Sequence, residues 1–218
     1  ETSPVVSCNP INDIRVETVG PPFKGNEVKI AEDGEILVKG ENVMNGYWND
    51  PESTLSTIND GWVHTGDIGE FDNDNYLKIT DRKKDIIVNA GGDNISPSRI
   101  EAKLDIQPEI SQSMLYGDYK NYLVAIIVPN KEESLIWAKK NNKEEDLSAL
   151  IKDNEFIKMI KESTQRVNNN LSVIEQIRKF ILIDHEFTIE NEMMTPSMKV
   201  RRFKVKDKYK DKLEKLYS

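Results

Sequence analysis

Apolar and polar residues alternate in short bursts over the first third of the chain. Ile14-Arg15-Val16-Glu17 and Glu27-Val28-Lys29-Ile30 change side at every residue, which is the period of a strand with one face buried. Asp33-Gly34 supplies a tight turn before Glu35-Ile36-Leu37-Val38-Lys39, so residues 27–39 predict a β-hairpin. A second hairpin-like stretch follows the turn Asp72-Asn73-Asp74-Asn75, with Tyr76-Leu77-Lys78-Ile79-Thr80 as one strand and Asp85-Ile86-Ile87-Val88 as the next. The first eighty residues therefore predict all-β, barrel-like material. Asp81-Arg82-Lys83-Lys84 is too charged to be buried and marks a domain boundary.

The pattern then becomes mixed. Ser96-Pro97 offers an N-cap and a first-turn proline to a helix that includes Ile100 and Leu104. Met114-Leu115-Tyr116 and Leu123-Val124-Ala125-Ile126-Ile127-Val128 predict strands, the second apolar enough to lie centrally in its sheet. Helical spacing over 154–172 aligns Phe156, Ile157, Ile160, Val167 and Leu171 in one stripe. A strand at Phe180-Ile181-Leu182-Ile183, a polar loop from Thr188 to Met194 and a basic helix from about Lys206 complete the chain. The fold class expected is α+β.

Composition narrows the functions. The 218 residues carry 30 Lys and Arg against 38 Asp and Glu, a net charge of −8 that argues against nucleic-acid binding as the main task. No run approaches the ~18 apolar residues of a bilayer-spanning helix. The first ten residues lack a signal-peptide pattern. Cys8 is the single cysteine and His64 and His185 the two histidines, too few for a four-ligand zinc site. A cytoplasmic location is expected. Residues 199–218 nevertheless hold nine Lys and Arg against three Asp and Glu. Such a segment is first a solvated surface helix, with peripheral contact at the inner face of a membrane as the alternative.

Three loops carry candidate chemistry. Gly61-Trp62-Val63-His64-Thr65-Gly66-Asp67 joins two strands and sets a carboxylate in a glycine-flanked turn, where it can accept hydrogen bonds from vicinal hydroxyls. Taken alone, an aspartate there is only a turn residue. Gly91-Gly92-Asp93-Asn94-Ile95-Ser96-Pro97 opens a helix after a strand and lets backbone approach a ligand closely. Met194-Thr195-Pro196-Ser197-Met198-Lys199-Val200-Arg201-Arg202 carries a lysine beyond a proline-containing turn, free to meet a phosphate or carboxylate as a point charge.

Together and in this order, these segments resemble the AMP-forming acyl-CoA synthetases of the adenylate-forming superfamily, which also contains beetle luciferases and the adenylation domains of peptide synthetases. The likeness covers essentially the whole chain. Glu1-Thr2-Ser3-Pro4 is similar to the end of the family's Tyr-Gly-x-Thr-Glu-Thr motif. Gly34-Glu35-Ile36, Val38-Lys39-Gly40, Val43-Met44-Asn45-Gly46-Tyr47-Trp48 and Pro51-Glu52-Ser53-Thr54 match the stretch before Thr65-Gly66-Asp67. Asn168 to Leu171, Glu175-Gln176-Ile177, Phe187-Thr188 and Leu216-Tyr217 are similar to the long-chain fatty-acid branch.

The resemblance implies a β-rich end of the large AMP-binding domain over 1–82, then the small, mobile α+β lid over 83–218, with the hinge near Lys84. It implies roles for single residues. Glu1 would hold magnesium-bound phosphates, so Mg2+ is an expected cofactor. Asp67 would take the ribose hydroxyls of ATP or AMP, and Arg82 the same ribose. Gly91 and Gly92 would line the passage for the pantetheine arm of coenzyme A. Lys199 would neutralise charge at the reacting carboxylate and α-phosphate. The activity implied is an ATP-dependent long-chain fatty acid–CoA ligase working through an acyl-adenylate. Its rivals are an adenylate-forming enzyme with another acid or a carrier-protein acceptor, and a catalytically silent interaction module. The family's phosphate loop and acid pocket would precede Glu1, so a fragment, inactive alone, is expected. Asp93 and Asn75 depart from the family pattern, Asn75 standing where glycine is usual.

Overall fold

A computed structural model describes residues 1–218 and divides the chain into two units, Glu1–Asp85 and Ile86–Ser218. In the first, β1 (Asn26–Ile30) and β2 (Glu35–Gly40) form the expected hairpin, with Gly34 at φ 85° in the turn. A two-residue β3 (Ile58–Asn59), β4 (Trp62–Phe71) and β5 (Leu77–Arg82) extend it into a five-stranded antiparallel sheet in the order β1-β2-β4-β3, with β5 also on β4. Ile36, Val38 and Leu77 form its core, with Val28, Ile30 and Phe71 packed against them.

Several expectations change here. The 14–17 alternation is not a strand: Ile14 and Val16 are exposed, and Arg15 reaches Asp72 and Asp74, each at 2.8 Å. Alternation alone cannot make a strand where no neighbour completes the ladder. The first unit is also not all-β. Residues 51–57 form the helix α1 (Pro51–Thr57), because Asp50 caps it, accepting from the Ser53 amide at 3.0 Å, and Pro51 opens its first turn. The turn at 72–75 joins β4 to β5, so β5 does not pair with the segment at 85–88. Asn75 takes φ 67°, a left-handed conformation that asparagine tolerates, which accounts for its place at a glycine position. Asp81 is buried despite its charge, and its Oδ1 accepts from the Arg82 amide at 2.7 Å.

In the second unit β6 (Ile87–Val88) pairs with β7 (Asn94–Ile95) in a small hairpin, and α2 (Pro97–Asp105) follows from Ser96. The main sheet has the order β10-β9-β8, with β8 at Ile110–Tyr116, β9 at Leu123–Pro129 and β10 at Ile177–Leu182. As its unbroken apolar run predicts, β9 is central and wholly buried, antiparallel to β8 and parallel to β10. Its period of two divides the core. Leu123, Ala125 and Ile127 face one cluster with Ile100, Leu104, Phe156 and Ile160, whereas Val124, Ile126 and Val128 face another with Val205, Tyr209 and Leu213.

Helices thus cover both faces of that sheet. α5 (Asn154–Asn168) supplies Phe156, Ile160 and Val167 to the first cluster, each side chain stabilising the unit by roughly 2 kcal/mol. Asp153 caps it through the Glu155 and Phe156 amides at 2.8 and 3.1 Å. The stripe ends a turn earlier than 172, with Leu171 buried beyond the helix. Between β9 and α5 lie α3 (Lys131–Lys140) and the short α4 (Leu147–Leu150), which the periodicity did not predict. α6 (Arg202–Glu214) covers the second cluster and starts four residues before Lys206. No helix is long and apolar enough to cross a membrane.

Candidate functional site

The Thr65-Gly66-Asp67 segment lies within β4, not in a connection between strands. Leu37 of β2 pairs with His64 and Glu35 with Ile68, so three residues of β4 stand opposite the single Ile36. The excess makes a bulge, with Gly66 at φ 70°. Side chains hold it where the ladder is interrupted. Thr65 Oγ1 donates to the Ile36 carbonyl at 2.7 Å and accepts from the Asp67 amide at 3.1 Å.

The bulge aims Asp67 at β5. Asp67 is in register with Arg82, and Arg82 Nε donates to Asp67 Oδ1 at 2.9 Å. The two residues for which the family resemblance implies one ribose are therefore neighbours, a half-buried carboxylate beside an exposed guanidinium. A carboxylate has acceptor capacity for more than one donor, so this pair can orient Asp67 without using up its lone pairs.

Glu35 was not among the candidates from the sequence, yet it is a buried carboxylate with several partners. Its side chain is 4% exposed and receives three donors: the Gly66 amide at 2.9 Å, His64 Nδ1 at 2.9 Å and Lys83 Nζ at 2.9 Å. Burial alone would push the Glu35 carboxyl up, but His64, Lys83 and the Gly66 amide outweigh it and hold it below its ordinary value. An ionised carboxylate only accepts, so His64 must carry a proton on Nδ1. Lys83 also reaches Asp33 at 2.7 Å, and these two partners raise its ammonium above the usual range. The one signal in the sequence was a glutamate placed against a three-residue apolar run.

Glu1 is exposed, and its carboxylate accepts from the Tyr47 hydroxyl, while the Met44 amide donates to its backbone carbonyl at 2.9 Å. No three His, Cys, Asp or Glu side chains gather as a metal site. A lone carboxylate fits magnesium only in the way that ion binds nucleotides, through one or two protein oxygens together with phosphate and water. Lys84 is exposed in the single 3-10 turn Lys83–Asp85 that leaves β5.

In the second unit Gly91 and Gly92 occupy the tip of the β6–β7 hairpin, so β7 separates them from α2 and they do not themselves open the helix. Asn89 shapes the tip, its Oδ1 accepting from the Gly91 and Asp93 amides at 2.8 and 2.9 Å. Gly92 takes φ 88°, with open space where a Cβ would stand. The loop at 117–120 braces the hairpin: the Tyr119 amide donates to the Val88 carbonyl at 2.8 Å and the Ala90 amide to the Lys120 carbonyl at 3.0 Å.

Lys199 is exposed at the end of a closed turn. The Thr195 amide donates to the Lys199 carbonyl at 2.8 Å, the Lys199 amide to Thr195 Oγ1 at 3.1 Å, and Met194 bridges to Val200. Three residues on, at the start of α6, Arg202 grips Glu101 of α2 through both carboxylate oxygens, and Glu101 Oε1 also accepts the Leu115 amide at 2.6 Å. The exposed ammonium therefore stands on a turn fixed at both ends, and α2, which follows the glycine hairpin, anchors its exit.

Over 220 residues the chain is 40% identical to the long-chain-fatty-acid–CoA ligase FadD15 of Mycobacterium bovis, covering all of this chain and 37% of that protein. It is 34% identical over 215 residues to the long-chain-fatty-acid–CoA ligase 1 of Homo sapiens, covering 92% and 31%. The chain thus spans about a third of the length of the curated relatives it matches. Among solved structures it is similar to the adenylation domain of a carboxylate reductase from Mycobacterium chelonae, with a TM-score of 0.75, 26% identity and coverage of 90% and 31%. The A-PCP didomain of the carboxylic acid reductase of Segniliparus rugosus, in complex with AMP, gives a TM-score of 0.74 and 27% identity over 92% and 28%. Residues 84–218 match the model of the AMP-binding enzyme C-terminal domain, and the chain belongs to that family of AMP-binding enzymes.

Proposed function

We propose that this chain works as the C-terminal part of an ATP-dependent long-chain fatty acid–CoA ligase, which converts fatty acid, ATP and CoA into acyl-CoA, AMP and pyrophosphate. The observation that carries the reading is the Asp67–Arg82 pair, set by a bulge at the end of a two-strand register, in a chain whose full length is 40% identical to a ligase of that class. A carboxylate is a poor electrophile. Condensation with the α-phosphate of ATP expels pyrophosphate and leaves a mixed anhydride, which the CoA thiol attacks with release of AMP.

The residues divide this work. Asp67 accepts from the ribose hydroxyls, and Arg82 holds Asp67 in place beside them. Lys199, a flexible point charge on a fixed turn, offsets the negative charge that gathers as the fatty-acid carboxylate meets the α-phosphate. Glu1 is the residue that would contact magnesium, whose chemistry here is to screen the phosphates. Gly91 and Gly92 give a hairpin tip with no side chain to obstruct a pantetheine arm. Positioning and electrostatics carry the catalysis, and no protein nucleophile is required.

A chain replacement tests the reading. These 218 residues take the place of the matching segment in the mycobacterial FadD15 relative, and palmitate-dependent AMP release and CoA-dependent thioester formation are both measured. Activity within about a hundredfold of the relative is expected. A folded chimera that makes no acyl-adenylate from any fatty acid would overturn the proposal.

A further inference from the structure

We infer that Glu35 is a positioning residue for ribose recognition: its buried carboxylate fixes the backbone on both sides of the Asp67–Arg82 pair, through the Gly66 amide before Asp67 and through Lys83 after Arg82. The inference rests on the reading of Asp67 and Arg82 as the ribose pair.

The sheet itself leaves this task undone. Between the His64–Leu37 and Ile68–Glu35 positions three residues of β4 face one of β2, so the ladder cannot set the path of Thr65-Gly66-Asp67. β4 and β5 have a second irregularity between Ile68 and Gly69, next to the Asp67–Arg82 position. Asp67 is thus flanked on both sides by backbone that regular pairing does not determine. Thr65 holds the bulge from within, and Glu35 adds the tie from outside β4, with Oε1 accepting from the Gly66 amide and Oε2 from both His64 and Lys83, each at 2.9 Å. The Gly66 contact reaches the bulge one residue before Asp67. The Lys83 contact reaches the chain one residue after Arg82, where β5 ends. One carboxylate therefore ties together the two segments whose side chains must meet.

The arrangement also dictates the variant. Three donors converge on two oxygens, so Glu35→Gln keeps the shape but must turn its NH2 group towards at least one N–H donor. The donor that faces the NH2 group then loses its bond to residue 35, and the bulge can relax without an extended cavity forming.

The test is a titration of the whole chain, followed by amide NMR, with AMP and with 2′,3′-dideoxy-AMP. They differ only in the hydroxyls that Asp67 would accept. The unmodified chain should favour AMP by about tenfold or more, the size of a hydrogen bond to a charged group. In Glu35→Gln that preference should fall to about twofold or less, with dideoxy-AMP affinity unchanged. Lys83→Met, which keeps the Gly66 contact and removes one tie, should lie between and stands in if Glu35→Gln does not fold. Val28→Ala, which loosens the same core away from the bulge, is a control for lost stability and should keep the full preference. A preference kept by both Glu35→Gln and Lys83→Met, or lost equally in Val28→Ala, overturns the positioning role. No preference in the unmodified chain overturns the ribose reading and with it this inference.

Discussion

Arg82 donates from Nε to Asp67 Oδ1 at 2.9 Å across the β4–β5 register. An ion pair with a half-exposed arginine contributes only about 0–1 kcal/mol, so stability is not its main effect. Its consequence is direction, since it holds one carboxylate oxygen and thereby orients the other. Asp67→Ala should therefore weaken AMP binding by about tenfold or more, while the melting free energy stays within about 1 kcal/mol. Arg82→Gln should weaken AMP less. A double-mutant cycle on AMP affinity checks the link, and strictly additive losses would mean that the two side chains act independently.

Lys199 is exposed, and the turn beneath it is closed by its own backbone bonds, so removing the ammonium should leave the fold intact. In the FadD15 chimera, Lys199→Ala should slow acyl-adenylate formation by ~100-fold, about 3 kcal/mol of lost transition-state stabilisation. Thioester formation from added acyl-adenylate should change by only a few-fold. Measuring the half-reactions separately decides the matter. Equal losses in both would make Lys199 a structural or merely solvated residue.

Glu35 gives the first unit a specific acid response. Its carboxyl titrates below the ordinary 4.5, because His64, Lys83 and the Gly66 amide outweigh the effect of burial. A depressed carboxyl stabilises the fold fully above its unfolded value, and that contribution disappears as pH falls through the lower folded value. Asp33 also titrates low because of Lys83, so it adds to the same acid limb. The stability gap between the unmodified chain and Glu35→Gln should be constant above pH 4.5 and narrow as the solution becomes more acidic. Chemical denaturation at a series of pH values measures it. A gap that does not change below pH 4.5 would show that the carboxylate is not held in its charged form.

The sequence was most legible where one rule decided a segment. The Asp33-Gly34 turn fixed the β1–β2 hairpin, and the run Leu123 to Val128 identified a strand buried on both faces. It was least legible where partners lie far away in the chain. Ile14 and Val16 alternate like a strand, but no neighbour offers them a ladder. Asp67 reads as a turn residue because glycine precedes it, whereas the extra residues belong to a bulge that only the pairing of β2 with β4 reveals. Glu35 escaped notice for the same reason: its three donors come from residues 29, 31 and 48 positions later. Asp67, Arg82 and Lys199 were singled out by motif order rather than by local periodicity, and the β4–β5 register brings the first two together.

Lys84 poses the remaining question, which concerns motion. If one site is to form the adenylate and then the thioester, the second unit must withdraw Lys199 and present the Gly91-Gly92 tip, and a few torsions must absorb the change. Lys83 is tied to Asp33 and Glu35 at 2.7 and 2.9 Å, which places Lys84 just beyond this anchored end of β5, in the turn Lys83–Asp85. Lys84→Pro would lock φ near −65°, remove an N–H and bias Lys83 away from helical torsions. Lys84→Ala leaves those torsions available. In the FadD15 chimera Lys84→Pro should spare acyl-adenylate formation and slow CoA-dependent release of the adenylate by tenfold or more, about 1.4 kcal/mol on that barrier. Lys84→Ala should be mild in both steps. Rapid-quench measurements of the two half-reactions resolve the cases, and a CoA step within a few-fold of the unmodified chimera would move the pivot away from Lys84.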